Sequence, residues 1–331
     1  MTEALLRVSD LAVSFQALHG RLTVLEDVSF DIGHGEVLGV VGESGSGKSV
    51  TALSIMGLLG AQGSIDRGAI HFAGRNLVEL DEPTMLDIRG REVAMIFQEP
   101  MTSLNPVYTV GFQIAEVLIE HLGLSRGAAR GRAIELMRRI GIPAAEQRVD
   151  QYPHQMSGGM RQRIMIAMAM ACEPKLLIAD EPTTALDVTI QAQILDLMRD
   201  LRRAFSAAIL MITHDMGVIA SIADRVVVMY AGQIVEEAPV KDLFGRPFHP
   251  YTRLLLRSIP LANRKQARLE AIPGSTPSPA SFPSGCRFHP RCPDAIDRCR
   301  QAMPSIESEG TSRRVRCWRA FEPDLKSARP T

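Results

Sequence analysis

The sequence predicts an α/β fold: a mainly parallel sheet with helices on its faces, a helical insertion, and a small cysteine-containing C-terminal extension. Three observations predict it. Short apolar runs alternate with helical segments between residues 36 and 230. One run, EVLGVV (36–41), stops at a Gly/Ser-rich loop, and the chain resumes as a helix from Lys48. Residues 110–172 show helical spacing with no strand pattern to interrupt it.

The N-terminal stretch alternates through Leu6, Val8, Leu11, Val13 and Phe15, which predicts a strand; residues 24–32 predict a second, ended by Gly33 and Gly35. After the loop helix, residues 111–122, 126–140 and 158–171 read as the helices of the insertion. KLLIA (175–179) returns to a buried strand, followed by a helix (189–205), a strand (208–213), a helix (215–223) and a strand (225–230). From about residue 240 the character changes. Residues 248–257 are short and aromatic, and PGSTPSPASFP (273–283) is a linker or extended connector.

The chain has 331 residues, which fits one large domain with an appendage, and its 46% hydrophobic content supports a full core. Lys plus Arg equals Asp plus Glu, so the basic excess expected of a protein living on nucleic acid is missing. No apolar run reaches the roughly 18 residues of a membrane span, and no signal peptide is expected from MTEALLRVSD. Any membrane role then needs other chains to cross the bilayer.

Three segments carry chemistry. GESGSGKS (42–49) fits GxxxxGK[ST] between an apolar strand and a helix. Gly42, Gly45 and Gly47 let the loop curl, with Ser44 and Val50 in the same cradle, so that backbone N–H groups face phosphate oxygens. Lys48 would reach the β- and γ-phosphates, and Ser49 would ligate Mg²⁺. The strand LLIADE (176–181) ends in two carboxylates. Asp180 is placed for the Mg²⁺ shell and Glu181 for the attacking water. Ser157, Gly158 and Gly159 open a helix, another anion-binding N-terminus.

Taken together these segments resemble the ABC-transporter ATPase family. MSGGMRQR (156–163) resembles its LSGGQ signature and LLIADEPTTALD (176–187) its Walker B and D-loop. IFQEP (96–100) is similar to its Q-loop and ITHD (212–215) to its H-loop. The resemblance implies a RecA-like P-loop NTPase core with an antiparallel N-terminal β subdomain. It also implies an ATPase domain over 1–245, with the helical insert over about 100–172, and an extension over 246–331. Further implications are that Gln98 senses γ-phosphate and Mg²⁺, His214 contacts the γ-phosphate, and Asp187 lies at a dimer interface. Ser157, Gly158 and Gly159 of one subunit would cover nucleotide held by Lys48 of another. Phe15 is the candidate for stacking on adenine, or else one more core aromatic. Met160 stands where the general signature has Gln, which removes one side-chain hydrogen bond from that position.

The tail narrows the resemblance. PFHPYT (247–252), FPSGCRFHPRCP (282–293) and IFQEPMTSLNP (96–106) are similar to oligopeptide, dipeptide and nickel importer ATPases. This implies ATP-driven import with two transmembrane permeases, a second ABC ATPase and, indirectly, an extracytoplasmic solute-binding protein. The chain would lie at the cytoplasmic face of the inner or plasma membrane, with no nucleic acid as partner. A soluble ABC ATPase acting on DNA or ribosomes, or a redox-sensing regulator, are the rival readings.

Cys286, Cys292, Cys299 and Cys317 are spaced C-x5-C-x6-C-x17-C, which is no zinc-ribbon pattern. Four thiolates suit an iron–sulfur cluster or zinc, or stay unligated. In relatives with this tail they are implied to hold a [4Fe–4S] cluster. His289 reads as a surface histidine, and Cys172 as a small buried hydrophobe within a helix.

Overall fold

The computed structural model describes residues 4–18, 20–98, 103–184, 186–258, 272–320 and 322. Residues 99–102 of IFQEPMTSLNP and Ala185 of the Asp-Glu segment lie outside them. In chain order the elements are β1 (Leu6–Ala17), β2 (Gly20–Ile32), β3 (Val37–Val41), α1 (Lys48–Met56), β4 (Gly63–Phe72), β5 (Arg75–Asn76), α2 (Glu82–Ile88) and β6 (Val93–Ile96). The helical stretch is α3 (Val110–Leu122), α4 (Arg126–Arg139), α5 (Ala145–Arg148) and α6 (Gly158–Met170). Then come β7 (Leu176–Asp180), α7 (Val188–Phe205), β8 (Ala208–Thr213), α8 (Met216–Ile222), β9 (Arg225–Tyr230), β10 (Gln233–Pro239), α9 (Val240–Gly245) and α10 (Pro250–Arg257). The tail adds α11 (Asp297–Gln301), β11 (Glu307–Glu309) and β12 (Arg313–Val315).

The chain divides into two compact units. The first joins residues 1–32, 37–78 and 212–331; the second holds 33–36 and 79–211.

In the first unit, β2, β1, β4 and β5 form a four-stranded antiparallel sheet in that order. β3 runs parallel to β9, with Leu38 opposite Arg225 and Val41 opposite Val228. All five residues of β3 are buried, as expected of a strand covered on both faces, hence the continuous apolar run. Gly39 lets α8 pack close: a Cβ there would lie 2.7 Å from Ile219 Cδ1. β10 pairs antiparallel with β9, and β12 pairs with β10, setting Val315 opposite Glu236 and Arg314 opposite Glu237. The extension thus contributes strands to the sheet that carries the phosphate loop.

The second unit pairs β6 and β7 in parallel, Val93 with Leu176 and Ile96 with Ala179. The helical insertion begins from good caps: Thr109 Oγ1 accepts from Phe112 N at 3.3 Å, and Ser125 Oγ accepts from Ala128 N at 3.4 Å. Its core is one face of each helix, with Val110, Ile114 and Leu118 from α3 and Ala129, Ala133, Leu136 and Met137 from α4. Burying each large side chain of this set contributes about 2 kcal/mol.

The predicted strand over 36–41, the helix start at Lys48 and the elements over 111–140, 158–171 and 175–230 agree with these bounds to within about a residue or two. Sequence reading missed β4, β6, β10 and the tail strands. β4 (GSIDRGAIHF) is half exposed and broken by Gly68, so it shows no clean alternation. β10 carries Glu236 and Glu237, both buried, where carboxylates argue against a strand interior. Cys172 lies two residues beyond α6 rather than within it, and is only partly buried.

Candidate nucleotide site

The phosphate loop leaves β3 with no room for side chains at Gly42 and Gly47. A Cβ at Gly42 would stand 2.2 Å from Met229 O, and one at Gly47 would stand 2.5 Å from Leu25 Cδ2. Gly47 also has φ 101, a conformation L side chains rarely adopt. α1 starts from Gly47 with no side-chain cap and no acidic residue in its first turn, so its N–H groups remain for an anion. Lys48 is buried and folds back over the loop: Nζ donates to Gly42 O at 2.8 Å and to Glu43 O at 3.0 Å. Ser44 and Gly45 are exposed at the loop crown, and Ser49 and Val50 are half-buried in the first turn of α1. The loop is anchored from below by Gly232 N, which donates to Ser46 O at 2.9 Å.

His214, also in the first unit, is exposed directly after β8. The next residue fixes that turn, since Asp215 Oδ1 accepts from Gly217 N at 2.7 Å and Val218 N at 3.2 Å. Phe15 is half-buried on β1, opposite Leu22 and Gly63, and a Cβ at Gly63 would stand 2.9 Å from its ring.

In the second unit, Asp180 is buried at the tip of β7 and Glu181 follows with φ 49. A non-glycine residue in that left-handed region is strained, a cost usually met where a side chain must be aimed. The Glu181 carboxylate is held in place: its Oε2 accepts from Thr184 Oγ1 at 2.8 Å and from Gln98 Nε2 at 3.2 Å. Gln98 and Glu181, 83 residues apart, are thus brought together. Ser157 caps α6, its Oγ accepting from Met160 N at 3.3 Å, so the contact uses the backbone of residue 160 and is indifferent to Met there. Gly159 has a packing reason as well, since a Cβ would lie 2.9 Å from Ile190 Cγ2. Asp187 is exposed and caps α7 through Ile190 N at 2.9 Å.

The extension is built on buried polar contacts. Glu236 accepts from Phe248 N at 2.7 Å and His249 N at 2.9 Å. His249 Nδ1 accepts from Tyr251 N at 3.0 Å, capping α10, and burial holds its pKa down at about 3. The folded pKa lies below the free value near 6.5, so in acid the unfolded chain binds the proton first. Stability from the neutral ring is therefore complete above about pH 6.5 and is lost from there down to about 3. Denaturant titrations should show wild-type stability falling by up to ~1.4 kcal/mol per pH unit in that window. His249→Asn, which keeps an acceptor at the cap, should flatten the slope. Comparing the two removes the contributions of Glu236 and Glu237, whose carboxyls burial pushes up.

Cys286, Cys292 and Cys317 are partly buried and Cys299 is buried. Cys286 N donates to Cys299 O at 2.8 Å, and a Cβ at Gly285 would stand 2.4 Å from that same oxygen. Burial pushes the thiols of Cys292 and Cys317 up to about 12, and neighbouring thiols add to the effect: Cys286 on both, and Cys299 on Cys317. Among the described residues no three His, Cys, Asp or Glu groups stand close enough to hold a metal ion.

Phosphate loop, strand-end carboxylates and a glycine-led helix start define a P-loop nucleotide-hydrolysing cassette. Comparison with known proteins agrees. Residues 25–184 match the "ABC transporter" family model, and residues 235–299 match "Oligopeptide/dipeptide transporter, C-terminal region". The chain is 54% identical over 315 residues to the oligopeptide transport ATP-binding protein AppD of Bacillus subtilis, covering 95% of this chain and 96% of that one. It is 51% identical to the dipeptide transport ATP-binding protein DppD of Haemophilus influenzae, covering 95% of each. Among solved structures, the post-hydrolysis dimer of the ATP-binding cassette MJ0796 bound to ADP and Pi superposes with TM-score 0.64. It has 26% identity and covers 71% of this chain and 98% of that one. The chain belongs to the ABC-transporter ATPase family, with the C-terminal region of its oligopeptide/dipeptide branch. It is an ATPase coupled to transport.

Sequence reading missed Glu43, Tyr251 and Arg291, which meet at the phosphate loop. Arg291 Nη1 and Nη2 donate to the two Glu43 carboxylate oxygens at 2.7 and 2.9 Å, and Tyr251 Oη accepts from Glu43 N at 2.8 Å. No motif signals these contacts, because 248 residues separate the ion pair.

Proposed function

We propose that the chain powers an importer for oligopeptides or dipeptides. The observation that carries this reading is the extension: its match to the oligopeptide/dipeptide C-terminal region comes with end-to-end identity of about half to peptide-transport ATPases. Nickel or another small solute is the alternative cargo for the same type of ATPase. The partners are two membrane-spanning permeases and a second ABC ATPase, with an extracytoplasmic binding protein delivering cargo. No helix among the described residues is long and apolar enough to cross a membrane; in this reading the chain docks on the permeases at the cytoplasmic face.

In this reading Gly42, Ser44, Gly45, Gly47, Lys48, Ser49 and Val50 cradle the ATP phosphates, and Phe15 stacks on adenine. Glu181 orients and deprotonates the attacking water, in line with the leaving group. Its two hydrogen bonds support that role by fixing the carboxylate before substrate arrives. Gln98 and His214 touch the γ-phosphate region. Ser157, Gly158 and Gly159 close on nucleotide held by a second ATPase, with Asp187 at the same interface. Mg²⁺ fits the oxygen donors of Ser49, Asp180 and Gln98, the hard ligands it prefers, and would neutralise phosphate charge.

Cys286, Cys292, Cys299 and Cys317 would hold a [4Fe–4S] cluster, which takes four cysteine thiolates; what supports this reading is the donor set, four thiols within one short segment. Its role would be structural, since phosphoryl transfer needs no electron.

One preparation tests both points: anaerobic, mild-detergent purification of the tagged chain from its native membranes. The expected result is two permeases, a second ATPase, and iron with acid-labile sulfide near four each per chain. Recovery only with ribosomes or nucleic acid would refute the transport reading. Absence of iron would refute the cluster.

A further inference from the structure

The Glu43 peptide is gripped from two sides. Toward the nucleotide, its carbonyl accepts from Lys48 Nζ at 3.0 Å and from Ser46 N at 3.2 Å. Away from it, three residues beyond position 250 hold the rest of Glu43. Tyr251 Oη accepts its N–H, Arg291 forks its carboxylate, and Thr276 Oγ1 donates to Oε2 at 3.3 Å. Arg291 is itself fixed, with Nε donating to Pro273 O at 2.7 Å and Nη2 to Gly274 O at 3.3 Å. Its side chain is only 5% exposed, so the paired hydrogen bonds act with little competition from water. Tyr251 is locked in an aromatic cluster, 4.7 Å from the Tyr230 ring and 5.3 Å from Phe288.

We infer that the C-terminal extension shapes the phosphate loop, with Arg291 and Tyr251 as positioning residues that hold Glu43, and through it Lys48, in the geometry that receives ATP. The inference rests on the reading of Lys48 as the phosphate-binding lysine. When ATP arrives, Nζ must exchange the Glu43 carbonyl for phosphate oxygen. A loop pinned only from inside could relax at that moment. One pinned from outside keeps its N–H groups aimed, and little reorganisation is left to oppose binding. The extension is then part of the ATP site, acting through Glu43 and Lys48.

The test uses the full chain, with equilibrium ATP affinity and steady-state ATPase measured together. Arg291→Gln and Glu43→Gln should each raise Kd and KM for ATP about tenfold while kcat moves less than about twofold, since binding is lost uniformly. The double variant should be no worse than either single one, because both remove the same contact. Arg291→Lys should fall between wild type and Arg291→Gln, retaining charge but not the fork. Arg253→Gln breaks the ion pair with Asp294 inside the extension and serves as the control for mere destabilisation. It should lower Tm without moving KM. Unchanged affinity in Arg291→Gln, full additivity with Glu43→Gln, or a rise in KM for Arg253→Gln in step with its Tm loss would each overturn the inference. Lys48→Ala in the same series separates the failures: if it binds ATP normally, the site reading fails whatever Arg291 does.

Discussion

Glu181→Gln should bind ATP as well as wild type and turn it over about 10³-fold more slowly, a loss of about 4 kcal/mol in transition-state stabilisation. The substitution is nearly isosteric and spares the phosphate loop. What it removes is the acceptor that takes a proton from water. The amide still has an oxygen for Thr184, so the strained backbone at φ 49 has no new reason to relax. With hydrolysis blocked, ATP should hold two cassettes together, and size exclusion with ATP should show a stable dimer. Ordinary turnover in this variant would remove Glu181 from its role.

Lys48→Ala should fail earlier, at binding. The variant deletes the one cation of the loop that faces the phosphates, and hydrogen bonds to charged groups are worth about 2 kcal/mol or somewhat more each. ATP affinity should fall at least roughly 30-fold by titration. Circular dichroism should change little, because the turn at Gly47 and the helix that follows it do not depend on the Lys48 side chain. An unchanged Kd would contradict the assignment of residues 42–49 as the phosphate cradle. The pair of variants separates binding from chemistry.

Much of this site was legible in the sequence because its chemistry depends on local spacing. The run from β3 through Lys48, and the strand ending at Asp180 and Glu181, each place their groups within a single strand–loop unit, where periodicity and glycine positions suffice. The insertion was legible for the same reason, since α3 and α4 begin at Thr109 and Ser125 caps and repeat on one face. Contacts of high sequence separation were not legible. Gln98 was singled out only through family resemblance, and its contact with Glu181, like that of Glu43 with Arg291, by nothing at all. β10 was hidden because Glu236 and Glu237 are buried there, balanced by backbone N–H groups and by Arg313 and Arg314 from a tail strand that spacing does not announce. The cysteines were found as a spacing pattern, while their burial came only from the fold.

The most direct test of the central claim is uptake of a labelled dipeptide or short oligopeptide by proteoliposomes holding the assembled permeases, both ATPases and the binding protein. ATP hydrolysed at this chain should drive uptake, and Glu181→Gln in this chain alone should abolish it while the complex stays assembled. Uptake that persists with Glu181→Gln, or that does not depend on ATP, would contradict the account.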